Sequence, residues 1–198
     1  MARKNNPANN IQDLQFFGEF GGVNPSIADS STFTYLAGKT MGDVFEGNRE
    51  GCYLYSRHTN PSTSYLGQAL AKMENTKGAI LSASGMGAIT TTLLQLCSAG
   101  DEIISSRTIY GGTYAFMKNY LPKFNIKTNF VNTTKLSEIQ NAITSNTKVI
   151  YCETMSNPLL EVSDIKSIAK IAKEKGIKFI VDNTFTPLIF SPSIMGAD

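Results

Sequence analysis

The chain has 198 residues, 41% of them hydrophobic and 17% charged, with a formal net charge of +2 from 18 basic and 16 acidic side chains. That is enough apolar material for a packed core in one large domain, or one and a half, and too little charge for a disordered chain. The near balance of charge leaves no footprint for nucleic acid or an anionic membrane. The densest basic segment, Lys166 to Lys178, is interleaved with apolar residues as a solvated helix face would be.

Cys52, Cys97 and Cys152 are odd in number, widely separated and without CxxC spacing, and His58 is the only histidine. A Cys/His zinc set cannot be completed from these, so no metal site is expected, and free thiols point to a reducing cytosol and a cytoplasmic protein. The N-terminus MARKNNPANNIQDL lacks the apolar core of a signal peptide, and no segment is long enough to span a bilayer.

Residues 1–60 show little periodicity and are rich in Gly, Asn, Ser and Thr. They read as a loop-rich N-terminal arm. A loop segment of that length is unusual on a compact domain, so it is expected to lie across another subunit.

From residue 60 the pattern changes. Asn60-Pro61 opens a helix in which Leu66, Ala69, Leu70 and Met73 share a face. GAILSA (78–83) reads as a short buried strand, and SGMGAITTTLLQLC (84–97) leads into a helix. EIISS (102–106) and IKTNFVN (126–132) are strands, KLSEIQNAI (135–143) is a helix, and KVIYCE (148–153) is a strand. Ser163 can cap the next helix, whose Ile165, Ile168, Ala169 and Ala172 share a face, and Gly176 ends it before the strand KFIVD. Strands that are continuous apolar runs, alternating with helices, predict an α/β domain over residues 61–198, with a mostly parallel sheet covered on both faces.

In such sheets ligands bind beyond the carboxyl ends of the strands. The residues there are Ser84-Gly85-Met86-Gly87, Arg107 through Tyr110-Gly111-Gly112-Thr113, Glu153 through Asn157-Pro158, and Asp182-Asn183-Thr184. Small residues opening a helix suit a phosphate, although the same stretch also reads as a tight turn. Tyr110 is either a turn aromatic or a flat ring for a planar cofactor. Asp182 alone would read as a turn cap. Beside the other two it suits a pyridine nitrogen, which a buried carboxylate keeps protonated.

Taken together, Tyr55-Ser-Arg57 with Asn60-Pro61, Ser84-Gly-Met-Gly-Ala88, Tyr110-Gly-Gly-Thr113, Glu153 through Pro158, and Val181-Asp-Asn-Thr184 resemble the Cys/Met-metabolism family of pyridoxal 5'-phosphate (PLP) enzymes. The family includes cystathionine γ-synthase, cystathionine γ-lyase, methionine γ-lyase and O-acylhomoserine sulfhydrylase. The resemblance runs in order from residue 17 to residue 198. It implies a fold type I PLP-dependent transferase large domain and PLP as cofactor.

The resemblance also implies roles. Gly85 and Met86 would bind the phosphate through backbone N–H groups, with Ser84 and Thr184 also in the cofactor-binding set. Tyr110 would stack on the pyridine ring and assist proton transfer. Asp182 would pair with the pyridine nitrogen, Asn157 would lie near the 3-hydroxyl, and Glu153 would brace the site. Tyr55 and Arg57 would reach the phosphate of a neighbouring subunit in a homo-oligomer, a dimer of dimers. The Schiff-base lysine and the C-terminal domain are expected after Asp198, because Lys77, Lys118 and Lys178 lack the Ser-x-Thr-Lys setting of that lysine.

Within the family, Gly112 stands where many methionine γ-lyases carry a cysteine. Ala115 stands where cystathionine γ-lyases tend to carry an arginine, which argues against cystathionine. The expected reaction is elimination at a carbon–sulfur bond of a sulfur-containing amino acid, methionine γ-lyase-like. A γ-replacement transferase, such as an O-acylhomoserine sulfhydrylase or cystathionine γ-synthase, is the alternative. A non-catalytic scaffold of the same fold is the reading from another class. The single histidine and the lack of GxSxG argue against a hydrolase triad, and the lack of GxGxxG after the first strand argues against a dinucleotide-binding domain, a further alternative.

Overall fold

The computed structural model describes residues 18–49 and 51–198. The opening residues of the expected arm, 1–17, and Glu50 lie outside the described residues. The chain divides into two compact units, residues 1–81 and 82–198.

The first unit is not loop alone. Helix α1 (Gly38–Phe45) interrupts the loops of the expected arm and buries none of its residues. Helix α2 (Pro61–Glu74) begins as expected, with the Asn60 side chain accepting from Ser62 N and Pro61 in the first turn, where its missing N–H costs nothing. Its buried face differs from the expected one. Gly67, Ala69 and Ala71 are buried, whereas Leu66 is 49% exposed. Close approach is the reason: a Cβ on Gly67 would stand 3.1 Å from the carbonyl oxygen of Ala79. Small residues let the following segment lie against the helix, and a leucine face would hold it off. That segment, 78–83, pairs with no strand among the described residues, and Ile80 is 99% exposed. The expected strand is not formed, because an apolar run becomes a strand only where a neighbour completes its ladder.

The second unit is a parallel four-stranded sheet. Helix α3 (Gly85–Leu96) leads to β1 (Glu102–Ser106), and helix α4 (Gly111–Ala115) follows. After β2 (Lys127–Val131), α5 (Leu136–Ala142) and β3 (Thr147–Glu153) come α6 (Ile165–Lys175) and β4 (Lys178–Asp182). The strand order is β2-β1-β3-β4, and every pairing is parallel. The chain reverses its direction of travel across the sheet between β1 and β3, which makes the crevice at their carboxyl ends the switch point.

Both sheet faces are covered, which is why β1, β3 and β4 are apolar at their centres, at Ile103-Ile104, Val149 through Cys152 and Phe179 through Val181. Ile103, Val149 and Tyr151 pack on one face with Leu93, Cys97, Met117 and Leu121. Ile104, Ile150, Cys152 and Phe179 pack on the other with Ile139, Ile165, Ile168, Ala169 and Ala172. Phe179 is fully buried, and replacing it with alanine would cost roughly 3–5 kcal/mol. The helix α6 matches expectation along its buried face and at Gly176, which takes a left-handed conformation (φ 68°). Lys166, Lys170, Lys173 and Lys175 are exposed, forming the solvated basic face.

The cap of α6 is a correction. The Asp164 side chain accepts from Ser167 N at 3.1 Å, while Ser163 Oγ donates to the carbonyl of Glu153 at 2.9 Å. Ser163 is drawn away because the β3 end offers an acceptor beside it. A helical segment that the sequence reading missed runs from α4 through a π turn (Phe116–Tyr120) and a 3-10 turn (Leu121–Phe124). Its signal is the buried stripe Thr113, Met117 and Leu121 at i, i+4, i+8, obscured by Gly111-Gly112 at one end and Pro122 at the other.

Candidate cofactor site

The carboxyl edge of the sheet gathers the chemistry in the second unit. Glu153 and Asp182 are register partners at the ends of β3 and β4. In a parallel pair, partners project to the same face, so both carboxylates share the face occupied by Tyr151 and Ile180.

Glu153 is buried and its two oxygens are both engaged. Oε1 accepts from Tyr110 N at 2.8 Å and Oε2 accepts from Asn157 N at 2.9 Å. The first contact bridges the switch-point crevice, joining the loop after β1 to the end of β3. Burial pushes the Glu153 carboxyl above its ordinary value, the two amides pull it down, and the negative charge of Asp182 adds to the rise. The loop beyond it is held in turn: Thr108 Oγ1 donates to Glu161 Oε2 at 2.6 Å, and Ser156 Oγ accepts from Glu161 N at 3.0 Å.

Asp182 is half-buried and partnered differently. Oδ1 accepts from Thr184 N at 2.9 Å and from Thr184 Oγ1 at 2.5 Å. Oδ2 accepts from the phenol of Tyr151 at 3.3 Å. A carboxylate offers about four acceptor positions, so three donors leave one place on Oδ2.

At the start of α3 the Ser84 hydroxyl accepts from Gly87 N at 3.0 Å. The amides of Gly85 and Met86 find no acceptor among the described residues, and a Cβ on Gly85 would meet nothing within 4 Å. The helix is 12 residues long, so its dipole and free amides offer an anion site with open space before it. This helix start lies beside the Tyr110 turn. A Cβ on Gly112 would stand 2.5 Å from Cε1 of Tyr110 and 3.3 Å from Sδ of Met86, and Thr113 Oγ1 reaches that sulfur at 3.8 Å. Tyr110 itself is 48% exposed, and its amide is pinned by Glu153.

Among the expected site residues, Ser84, Gly85, Met86, Tyr110, Glu153, Asn157, Asp182 and Thr184 therefore belong to one edge of the second unit. Tyr55 and Arg57 belong to the first unit. There the Arg57 guanidinium lies 5.4 Å from the Tyr55 ring centroid, and Tyr55 bridges Thr32 in antiparallel fashion. The residue that sequence reasoning missed is Tyr151. It lies inside an apolar strand run and gives no signal of its own until the register of β3 and β4 is known.

Free amides at a helix start, an exposed aromatic ring and a strand-end carboxylate with one acceptor position left fit the phosphate, ring face and ring nitrogen of PLP. This combination on a parallel α/β sheet defines the class of fold type I PLP-dependent enzymes. The chain belongs to the Cys/Met metabolism PLP-dependent enzyme family, whose model matches residues 9–198. It is 43% identical over 198 residues to a methionine gamma-lyase of Arabidopsis thaliana, covering 97% of this chain and 45% of that protein. A cystathionine beta-lyase of Staphylococcus haemolyticus is 41% identical over 181 residues, covering 91% of this chain and 44% of its own length. Among solved structures, one from Campylobacter jejuni, described as an O-acetylhomoserine (thiol)-lyase and holding a pyridoxyl-lysine phosphate, superposes with a TM-score of 0.90. It is 31% identical, and the match covers 98% of this chain and 48% of that one. The chain spans about half the length of the curated relatives it matches. Among the described residues, no helix is long and apolar enough to cross a membrane, and no cluster of side chains could hold a metal ion.

Proposed function

We propose that this chain forms the cofactor-holding part of a PLP-dependent carbon–sulfur lyase acting on sulfur-containing amino acids, methionine γ-lyase-like. The observation that carries the reading is the strand-end pair Glu153 and Asp182: Glu153 is buried with a backbone amide on each oxygen, and Asp182 is half-buried with an acceptor position left on Oδ2. Identity of 43% to a methionine gamma-lyase supports the substrate class.

PLP, when bound, supplies the electron sink that makes the α-proton of an amino acid labile. Asp182 holds a proton on the ring nitrogen through its free acceptor position. The amides of Gly85 and Met86, with the hydroxyl of Ser84 beside them, receive the phosphate. Tyr110 would hold the cofactor ring with its own and move protons with its phenol. Glu153 fixes the backbone of Tyr110 and of Asn157, which would hold the cofactor's 3-hydroxyl, and Thr184 holds Asp182 in place and would complete the cofactor-binding set. Tyr55 and Arg57, on the N-terminal arm (1–60), reach the phosphate in the neighbouring subunit of a cytoplasmic homo-oligomer, a dimer of dimers. An exposed guanidinium is suited to bidentate phosphate contact.

The second reading, a γ-replacement transferase, is favoured by the likeness to the Campylobacter jejuni structure. Assay of the native PLP-loaded protein separates the two. Release of 2-oxobutanoate from methionine without added thiol is expected; product only from an acylhomoserine plus sulfide would move the assignment to replacement. A native protein that develops no yellow absorbance with PLP would instead be a scaffold. Mixing Arg57→Ala and Tyr110→Ala proteins tests the shared site: hybrids should recover activity, since one site per dimer is free of both changes, and hybrids that never do would remove the arm from the site.

A further inference from the structure

We propose that Tyr151 is a positioning residue for Asp182, its buried phenol holding the carboxylate so that the remaining acceptor position on Oδ2 faces the cofactor ring nitrogen. This rests on the reading of Asp182 given above.

Tyr151 sits on β3, two residues before Glu153 and on the same face, and is 1% exposed. Its register partner is Ile180, so its hydroxyl reaches diagonally along β4 to Asp182 Oδ2 at 3.3 Å. A phenol taken out of water must find an acceptor. The hydrogen-bond acceptor here is the carboxylate at the strand end. The ring is packed in a cluster with Leu93, Ile103, Met117 and Val149, so the hydroxyl is aimed by core packing rather than by a flexible loop.

Asp182 is thus gripped at both oxygens, by Thr184 on one and Tyr151 on the other. Loss of the phenol would free the carboxylate to turn about its own axis and to take water at Oδ2. Burial, followed by the negative charges of Asp182 and Glu153, pushes the phenol far above its ordinary value, with the Thr113 hydroxyl acting in the opposite sense. Tyr151 therefore stays a donor throughout the working pH range.

The experiment uses the native full-length protein with Tyr151→Phe, Asp182→Asn and the double variant. Readouts are thermal stability, PLP affinity by fluorescence titration, the visible absorbance of bound cofactor, and kcat. Tyr151→Phe is expected to keep PLP affinity within a few-fold, to shift the absorbance, and to lower kcat about tenfold, the scale of lost support behind a functional group. In the Asp182→Asn background the further effect of Tyr151→Phe on the absorbance should vanish, because both act through one carboxylate. Unchanged absorbance and kcat in Tyr151→Phe, or effects that simply add in the double variant, would overturn the proposal. So would a Tyr151→Phe protein that does not fold, which would assign Tyr151 to the core alone. If Asp182→Asn is itself silent in absorbance and turnover, the reading of Asp182 has failed, and the Tyr151 proposal falls with it.

Discussion

Glu153 and Asp182 stand side by side in register on β3 and β4, yet Glu153 is buried with a backbone amide on each oxygen and Asp182 is half-buried with an acceptor position open on Oδ2. The division follows from what surrounds each strand end. The loops after β1 and β3 fold back over Glu153, and the turn after β4 leaves Asp182 half-buried. On the proposed reading, Glu153 braces the site and Asp182 meets the cofactor.

Asp182→Asn is expected to lower turnover by about 10²-fold or more while PLP affinity falls far less. The amide cannot hold a positive ring nitrogen, whereas the contacts of the helix start and of Tyr110 persist. Steady-state kinetics beside equilibrium PLP titration checks this, and near-normal turnover would take Asp182 out of its role.

At Gly112 an added methyl would land 2.5 Å from the Tyr110 ring. The ring is half-exposed and can swing, so Gly112→Ala should cost less than about 1 kcal/mol in stability. It should nevertheless weaken PLP binding and alter the cofactor absorbance by moving the stacking surface. An unchanged absorbance would show that the ring does not lie on the cofactor.

Helix α6 depends on Asp164 for its N-cap. Asp164→Ala should lower stability by about 1 kcal/mol, as loss of a cap does, and thermal melts measure it. The hydrogen bonds with Ser167 hold this carboxyl below its ordinary value. A depressed value means the cap is in place above the unfolded value and is lost as pH falls through the folded one, so the difference between wild type and variant should shrink in acid.

Burial raises the Cys97 thiol from 9.0 to about 11 and the Cys152 thiol to about 12. Between pH 9 and these values the folded chain holds protons that the unfolded chain gives up, so stability falls as pH rises through that range. Cys152→Ala should flatten the alkaline arm of the stability curve at a cost near 1 kcal/mol for the lost sulfur. Below pH 9 both thiols should resist iodoacetamide until the protein unfolds, since the thiolate is the reacting form. Peptide mapping of the alkylated native protein measures this, and rapid labelling at either site would contradict their burial.

Local pattern determined much of this protein. Parallel strands covered on both faces are apolar at their centres, so EIISS, KVIYC and KFIVD were legible as strands of the sheet, and their order put Tyr110, Glu153 and Asp182 at its carboxyl edge. The helix starts at Asn60-Pro61 and Ser84 and the stop at Gly176 were legible for the same reason, since each acts within a few residues of chain. Other features depended on partners distant in sequence. Segment 78–83 has the composition of a strand but no ladder among the described residues. The buried face of α2 was decided by the approach of Ala79 to Gly67, and Ser163 was diverted to the Glu153 carbonyl. Tyr151 looked like one more apolar strand residue. Only the register of β3 against β4 brings its phenol to Asp182, because side-chain alternation along one strand says which face a residue takes and nothing about whom it meets there.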